Sequence, residues 1–297
     1  MRRNLFLVSA FSLLFISNSF AFDWKSLHDK ADNQSLNTAL EELRSSHGSA
    51  EAFYVLGLVY LNLHKDSLAQ GAFSQALRLN PLSFEAEWGL AEVRRRQHKL
   101  DRAEPILYKI IKSNPQFSPA YITLAYIRYI RMDFKESVRL ASMVIKQGRG
   151  NADLSNYTRA YAMYAGAKGM IAHYGGVFSK AIDGLAVKPN LDKAYRLQPG
   201  SPGVLFGLGS YYFLAPVIAG GDKVKAEAYL KRAIEADPLF PDAYVRLAQL
   251  YKIRGDEKKY DFFMSKALEI DPGNELALDH KSGRCKFICV GGEEAKR

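Results

Sequence analysis

Apolar residues recur along most of the chain at the three- and four-residue spacing of amphipathic helices. The runs end at the dipeptides Asn80-Pro81, Asn114-Pro115, Asp237-Pro238 and Asp271-Pro272. Pro81 and Pro115 stand 34 residues apart, and so do Pro238 and Pro272. Proline disfavours helical backbone at the residue before it, so each dipeptide marks a helix end. Asp66, Asp101, Asp133, Asp222 and Asp256 each stand where a second apolar run begins, which predicts N-caps there; Glu104 and Glu136 complete capping boxes with Asp101 and Asp133. The pattern predicts an all-α chain, with two helices in each interval.

A fixed period of this size is the mark of a repeat architecture. In residues 50–83, Leu56, Gly57, Tyr60, Ala69, Phe73, Ala76 and Pro81 fall at seven consensus positions of the tetratricopeptide repeat (TPR), which this unit closely resembles. Residues 84–117 follow with Leu90, Ala91, Ala103, Leu107, Ile110 and Pro115, and residues 118–151 with Tyr121, Leu124, Ala125, Ala141 and Val144. Residues 241–274 give Tyr244, Leu247, Ala248, Tyr251, Ala267 and Pro272. Small residues let antiparallel helices approach while Leu56, Tyr60 and Phe73 fill the seam, and stacking covers the face that one hairpin leaves open. The resemblance implies a helix-turn-helix superhelical solenoid over 50–274, of about five to six units. Two units depart from the period. One carries five extra residues within 214–222, and the one before it 16 extra near 175–189. Such insertions either serve a function on one face or are inert surface excursions. Residues 22–49, with Trp24, Leu27, Leu36, Leu40 and Leu43 at helical spacing, are expected to form an N-terminal capping hairpin, and 275–297 a capping helix with a cysteine-containing tail.

The first 21 residues read differently. Arg2 and Arg3 precede an apolar run from Leu5 to Ile16, then a polar stretch and the small-x-small site Ser19-Phe20-Ala21. This is the form of a secretory signal peptide, too short to span a bilayer, with a twin-arginine leader as the alternative. Cleavage after Ala21 would leave a periplasmic or secreted chain with no integral membrane segment, and lowers the formal charge from +10 to about +8. Charge scattered over helical faces bears on solubility, and no basic run longer than Arg94-Arg95-Arg96 points to nucleic acid. The only cysteines, Cys285 and Cys289, form a local disulfide, remain free thiols or serve a metal or redox role; their spacing is not that of a Cys-x-x-Cys site.

Catalytic signatures are missing from the sequence: there is no His-Glu-x-x-His, Gly-x-Ser-x-Gly, phosphate loop or dinucleotide fingerprint. The six histidines are dispersed over different units, so no metal site, cofactor or enzymatic activity is expected. The TPR resemblance instead implies a concave groove for a protein or extended peptide, lined by Tyr54, Leu58, Trp88, Arg95, Arg96, Ile122, Tyr126, Tyr129, Phe206, Ser210 and Gln249. The alternative is that Trp88, Tyr126 and Phe206 only pack against neighbouring first helices inside a tightly curled superhelix. The Lys/Asn/Arg clamp of chaperone-binding TPR domains is replaced here by Tyr54, Leu58, Gly89, Pro119 and Thr123. The stretch Ala219-Gly-Gly-Asp222-Lys-Val-Lys-Ala226, in an exported TPR array, resembles the TatT group of envelope proteins associated with TRAP transporters. Three functions compete: an adaptor that helps assemble or position an envelope complex, which is the expected one, a transporter accessory holding a small apolar ligand beneath its insertions, or a domain with enzymatic or redox work at Cys285 and Cys289. Aromatic faces at the solenoid ends could also pair two copies of the chain.

Overall fold

The computed structural model describes residues 23–288, so the leader and Cys289 lie outside the described residues. Among those residues every regular element is helical. Two short helices, α1 (Trp24–Asn33) and α2 (Leu36–Ser45), precede six hairpins. The hairpins are α3/α4 (Ala50–Asn62, Asp66–Leu79), α5/α6 (Phe84–Arg96, Leu100–Ser113), α7/α8 (Ser118–Ile130, Phe134–Gln147), α9/α10 (Leu154–Tyr174, Val177–Leu197), α11/α12 (Pro202–Leu214, Lys223–Ala236) and α13/α14 (Pro241–Ile253, Glu257–Ile270). A final helix, α15 (Glu275–Lys281), covers the end of the stack.

Close approach explains the stacking. The Phe73 ring is fully buried, and a Cβ at Gly57 of its own hairpin or at Gly89 of the next would come within 2.5 Å of it. One aromatic ring therefore joins three helices because two of them lack a side chain there. The 16 extra residues expected near 175–189 form no loop. They lengthen both members of one hairpin, since α9 and α10 have 21 residues each where the other first helices have 13 and the other second helices 14. The insertion in the next hairpin is a 3-10 turn, Val217–Ala219.

The expected caps hold in part. Asp133, Asp222 and Asp256 accept from the first free amides of α8, α12 and α14. Asp66 and Asp101 do not, because α4 begins one residue earlier than expected, after Lys65, and α6 two residues earlier, after Lys99. Asp66 pairs with Arg96 at 2.9 Å and Asp101 with Arg131, so both link successive hairpins. Glu104 also pairs with Arg128 and Arg131, leaving no capping box there.

The N-terminal helix does more than cover an end. Trp24 meets Phe117 edge-on at 5.1 Å, and His28 packs on Trp88 at 5.2 Å and lies 2.7 Å from the Tyr54 hydroxyl. Asp29 accepts from the Leu154 amide at 3.0 Å, and Asp32 accepts from Asn62 and from Ser155. Thus α1 lies across the inner surface of α3, α5, the start of α7 and the start of α9.

The superhelix also meets itself. His64 and His98 sit 34 residues apart, each in a left-handed backbone conformation just after a first helix. His64 Nε2 lies 2.9 Å from Asp237, and His98 Nε2 lies 3.0 Å from Asp271, so both joins span 173 residues. The turns of the first two hairpins are thereby joined to the Asp-Pro turns of the last two. Arg96 donates to His64 Nδ1 at 2.9 Å, which leaves Nε2 to donate to Asp237. His98 has a carboxylate on each ring nitrogen, with Glu275 at 2.8 Å on Nδ1.

These hydrogen bonds, donated by the ring nitrogens to Asp271 and Glu275, push the His98 imidazole up to about 10 from its ordinary 6.5. Burial opposes ionisation of Asp271, but the His98 hydrogen bond holds that carboxyl below its usual range. The unfolded chain loses the histidine proton first, so the stabilisation is complete below pH 6.5 and fades as pH rises toward 10. For this partly exposed group it is worth about 1 kcal/mol. The melting temperature of the native chain should therefore fall with rising pH across this window more steeply than that of His98→Gln; parallel profiles would contradict the join.

Candidate functional site

The joined superhelix surrounds a cavity of about 2270 Å³, walled by the inner faces of α1, α3, α5, α7, α9, α10, α11 and α13 and by the C-terminal segment. Of the residues expected to line a groove, Leu58, Trp88, Arg95, Arg96, Ile122, Tyr126, Tyr129, Phe206 and Ser210 stand along this wall. Tyr54 and Gln249 do not. Both have no exposure, Tyr54 because α1 covers it and places His28 on its hydroxyl, Gln249 because its amide oxygen holds Arg246 at 2.7 Å.

A polar chain crosses the wall between α5 and α7. Trp88 Nε1 donates to Thr123 Oγ1 at 3.0 Å, and Thr123 donates to Glu92 at 2.9 Å. Arg95 clamps both oxygens of Glu92, with Nη2 at 2.6 Å and Nε at 3.0 Å, and its guanidinium lies 4.5 Å from the centre of the Tyr126 ring. Burial alone would raise Glu92, but Arg95 overrides it and the carboxyl sits below its usual range. The clamp fixes Arg95 as a planar surface over an aromatic ring, a shape that stacks well against a partner's side chains. Trp88 is only 4% exposed, held between His28, Phe117 and the Thr123 hydroxyl. Of the two roles open to it, packing prevails.

Arg246 organises the far side. It donates to the carbonyls of Phe287 and Ile288 at 2.9 and 3.0 Å, and burial lowers its affinity for its proton. Phe287 stacks on Tyr129 at 5.8 Å and donates its amide to Asp279 at 2.9 Å. Tyr129, expected to meet a partner, is thus partly engaged by the chain's own end, and burial raises its phenol to about 12. Cys285, in the same segment, is disulfide-bonded. Beyond these occupied stretches the wall continues along α10 and α11. There Phe206 meets Phe240 edge-on at 5.4 Å, and the buried Ser210 hydroxyl has no hydrogen-bond partner among the described residues.

His28, Asp32, Arg246 and Phe287 line the cavity although the sequence did not single them out as site residues. Arg246 lies three residues before Gln249 on one helix face, a spacing that could have linked them. Nothing local in the sequence places His28 or Phe287 there.

Residues 54–119 and 241–274 match family models described as tetratricopeptide repeat. A comparison with curated proteins finds no match. Among solved structures, the chain resembles the APC/C hetero-tetramer Cut9-Hcn1 at 16% identity and a TM-score of 0.55, covering 86% of this chain and 46% of that one. It therefore spans less than half of that relative. It also resembles a tetratricopeptide repeat protein from Parabacteroides merdae at 11% identity and a TM-score of 0.52, covering 86% of this chain and 96% of that one. At these identities the likeness is one of fold. The chain carries tetratricopeptide repeats in a TPR-type solenoid.

Removing the Trp88 ring should leave a cavity between α1 and α5 and cost about 3–5 kcal/mol in Trp88→Ala. Trp88→Phe, which mainly loses the hydrogen bond to Thr123, should cost only about 1 kcal/mol. Urea unfolding checks both, and an unchanged midpoint in Trp88→Ala would show that the ring does not pack as described.

Proposed function

We propose that this chain is an exported interaction scaffold that receives a helix or an extended segment of a protein partner in the open part of its cavity. It acts in assembling or positioning an envelope complex. The observation that carries the reading is α1 itself, since the inner surface of α3, α5 and α7 already holds a helix by aromatic packing and a few hydrogen bonds. Helix-in-groove recognition uses the same physics. The stretch left open runs along the cavity wall from the Arg95–Tyr126 stack to Phe206 and Ser210. Support for the exported setting is the leader-like first 21 residues.

The transporter-accessory reading gains nothing from the relatives described above. It also needs apolar side chains closed over a ligand, whereas Phe178 and Ile218, in the two insertions, are 85% and 97% exposed.

A photoreactive residue placed at Phe206, and another at Leu58, separates the two halves of the cavity in intact cells. The scaffold reading expects Phe206 to capture a segment of another protein and Leu58 to capture α1 of the same chain. Capture of other proteins from Leu58 only would contradict this division of the groove, and no capture from Phe206 would remove the proposed site.

A further inference from the structure

The two hairpins that depart from the 34-residue period carry the most exposed apolar side chains of the described residues. On the lengthened α10, Val177, Phe178, Ile182 and Leu185 are each at least 70% exposed, and at the 3-10 turn Val217 and Ile218 are 87% and 97% exposed. The first four lie on one face of the helix, because their positions fall within less than half a turn of one another at about 100° per residue. Both groups stand at one rim of the cavity, where Leu185 and the segment from Leu214 to Pro216 line the same wall. Tyr212 ties them together, with Lys188 of α10 at 5.7 Å and Lys225 of α12 at 5.6 Å from its ring centre.

The turn is built to hold its apolar tip out. Tyr211 donates to the Ala219 carbonyl, Gly221 donates to Pro216 at 3.0 Å, and the Asp222 amide donates to Tyr212 at 2.8 Å. A Cβ at Gly221 would come within 1.9 Å of the Ala215 carbonyl oxygen, so the chain can fold back there only through glycine. The carbonyls and amides behind the tip are thus paired within the turn, which lowers the cost of placing it in a medium without water.

Charge selects the medium. Lys180 and Lys223 flank the two apolar groups and have no carboxylate partner among the described residues, whereas Lys225, beside the 76% exposed Val224, pairs with Asp222 at 3.4 Å. The nearby acids are already engaged: Asp183 by Lys168 and Ser179, Asp222 by the amides of Val224 and Lys225. The surplus, Lys180 and Lys223, is positive, and apart from Leu185 the apolar groups lie outside the cavity lining. We propose that the ledge made by α10 and the Val217–Ile218 tip docks on the surface of an anionic lipid bilayer, with the apolar side chains entering the interface and the lysines meeting headgroups. This adds membrane attachment to a chain in which no described helix is long and apolar enough to cross a membrane.

A bimane probe on the full chain at Ile218→Cys reads the tip directly, since Cys285 is already disulfide-bonded. With vesicles of phosphatidylethanolamine and phosphatidylglycerol the probe should shift to the blue and be quenched by nitroxides on the acyl chains. With phosphatidylcholine alone the apparent affinity should fall about tenfold or more. Adding Phe178→Asp and Ile182→Asp, both at exposed positions, should abolish the shift. A probe that stays in water on both kinds of vesicle overturns the proposal. So does one indifferent to the α10 substitutions, or one shielded without lipid as protein concentration rises, which would assign the ledge to a second copy of the chain.

Discussion

The form of this molecule depends on two equivalent joins between distant turns. A stack of hairpins advances by a small rotation per unit and would ordinarily continue as an open superhelix. Here the rotation brings the turn after α3 to the end of α12 and the turn after α5 to the end of α14, each through an imidazole on an aspartate. Both joins span 173 residues because one repeat separates their members on either side. Lone surface ion pairs contribute little to stability. A repeated pair in register is a geometric constraint, and it turns a concave face into a walled cavity.

That cavity is partly furnished by the chain itself. The first helix fills the start of the groove and the C-terminal segment rests on Tyr129 and Arg246. What remains open is the stretch from the Arg95–Tyr126 stack to α10 and α11, next to the apolar ledge. The proposed recognition inside and the proposed attachment outside would then share one hairpin. Its lengthened helices supply a wall of the cavity through Val187 and Leu191 and an exposed face through Phe178 and Ile182.

Most of the fold was legible because a repeat writes its geometry locally. Gly57 and Phe73 fall at fixed consensus positions of one unit, which places its two helices in close approach; Gly89, 32 residues after Gly57, extends that approach to the next hairpin. The caps were less secure, since an aspartate near a helix start can bond its own amides or a neighbour's arginine, and Asp66 and Asp101 do the latter. The site was legible only in outline. Nine of eleven expected residues line the cavity, but Tyr54, Trp88 and Gln249 have work inside the chain that depends on α1 and Arg246. His64 and His98 looked dispersed for the same reason: their partners come near only through the accumulated curvature of the superhelix, which no short window of sequence contains.

Closure is the claim on which the cavity, the fixed wall and the position of the ledge all rest. Spin labels at Lys65→Cys and Leu239→Cys, beside the His64–Asp237 join, report it by pulsed electron resonance, with the native Cys285 disulfide left intact. The account predicts a single, narrow distribution at short distance. A broad distribution centred at long distance would describe an open superhelix and contradict it.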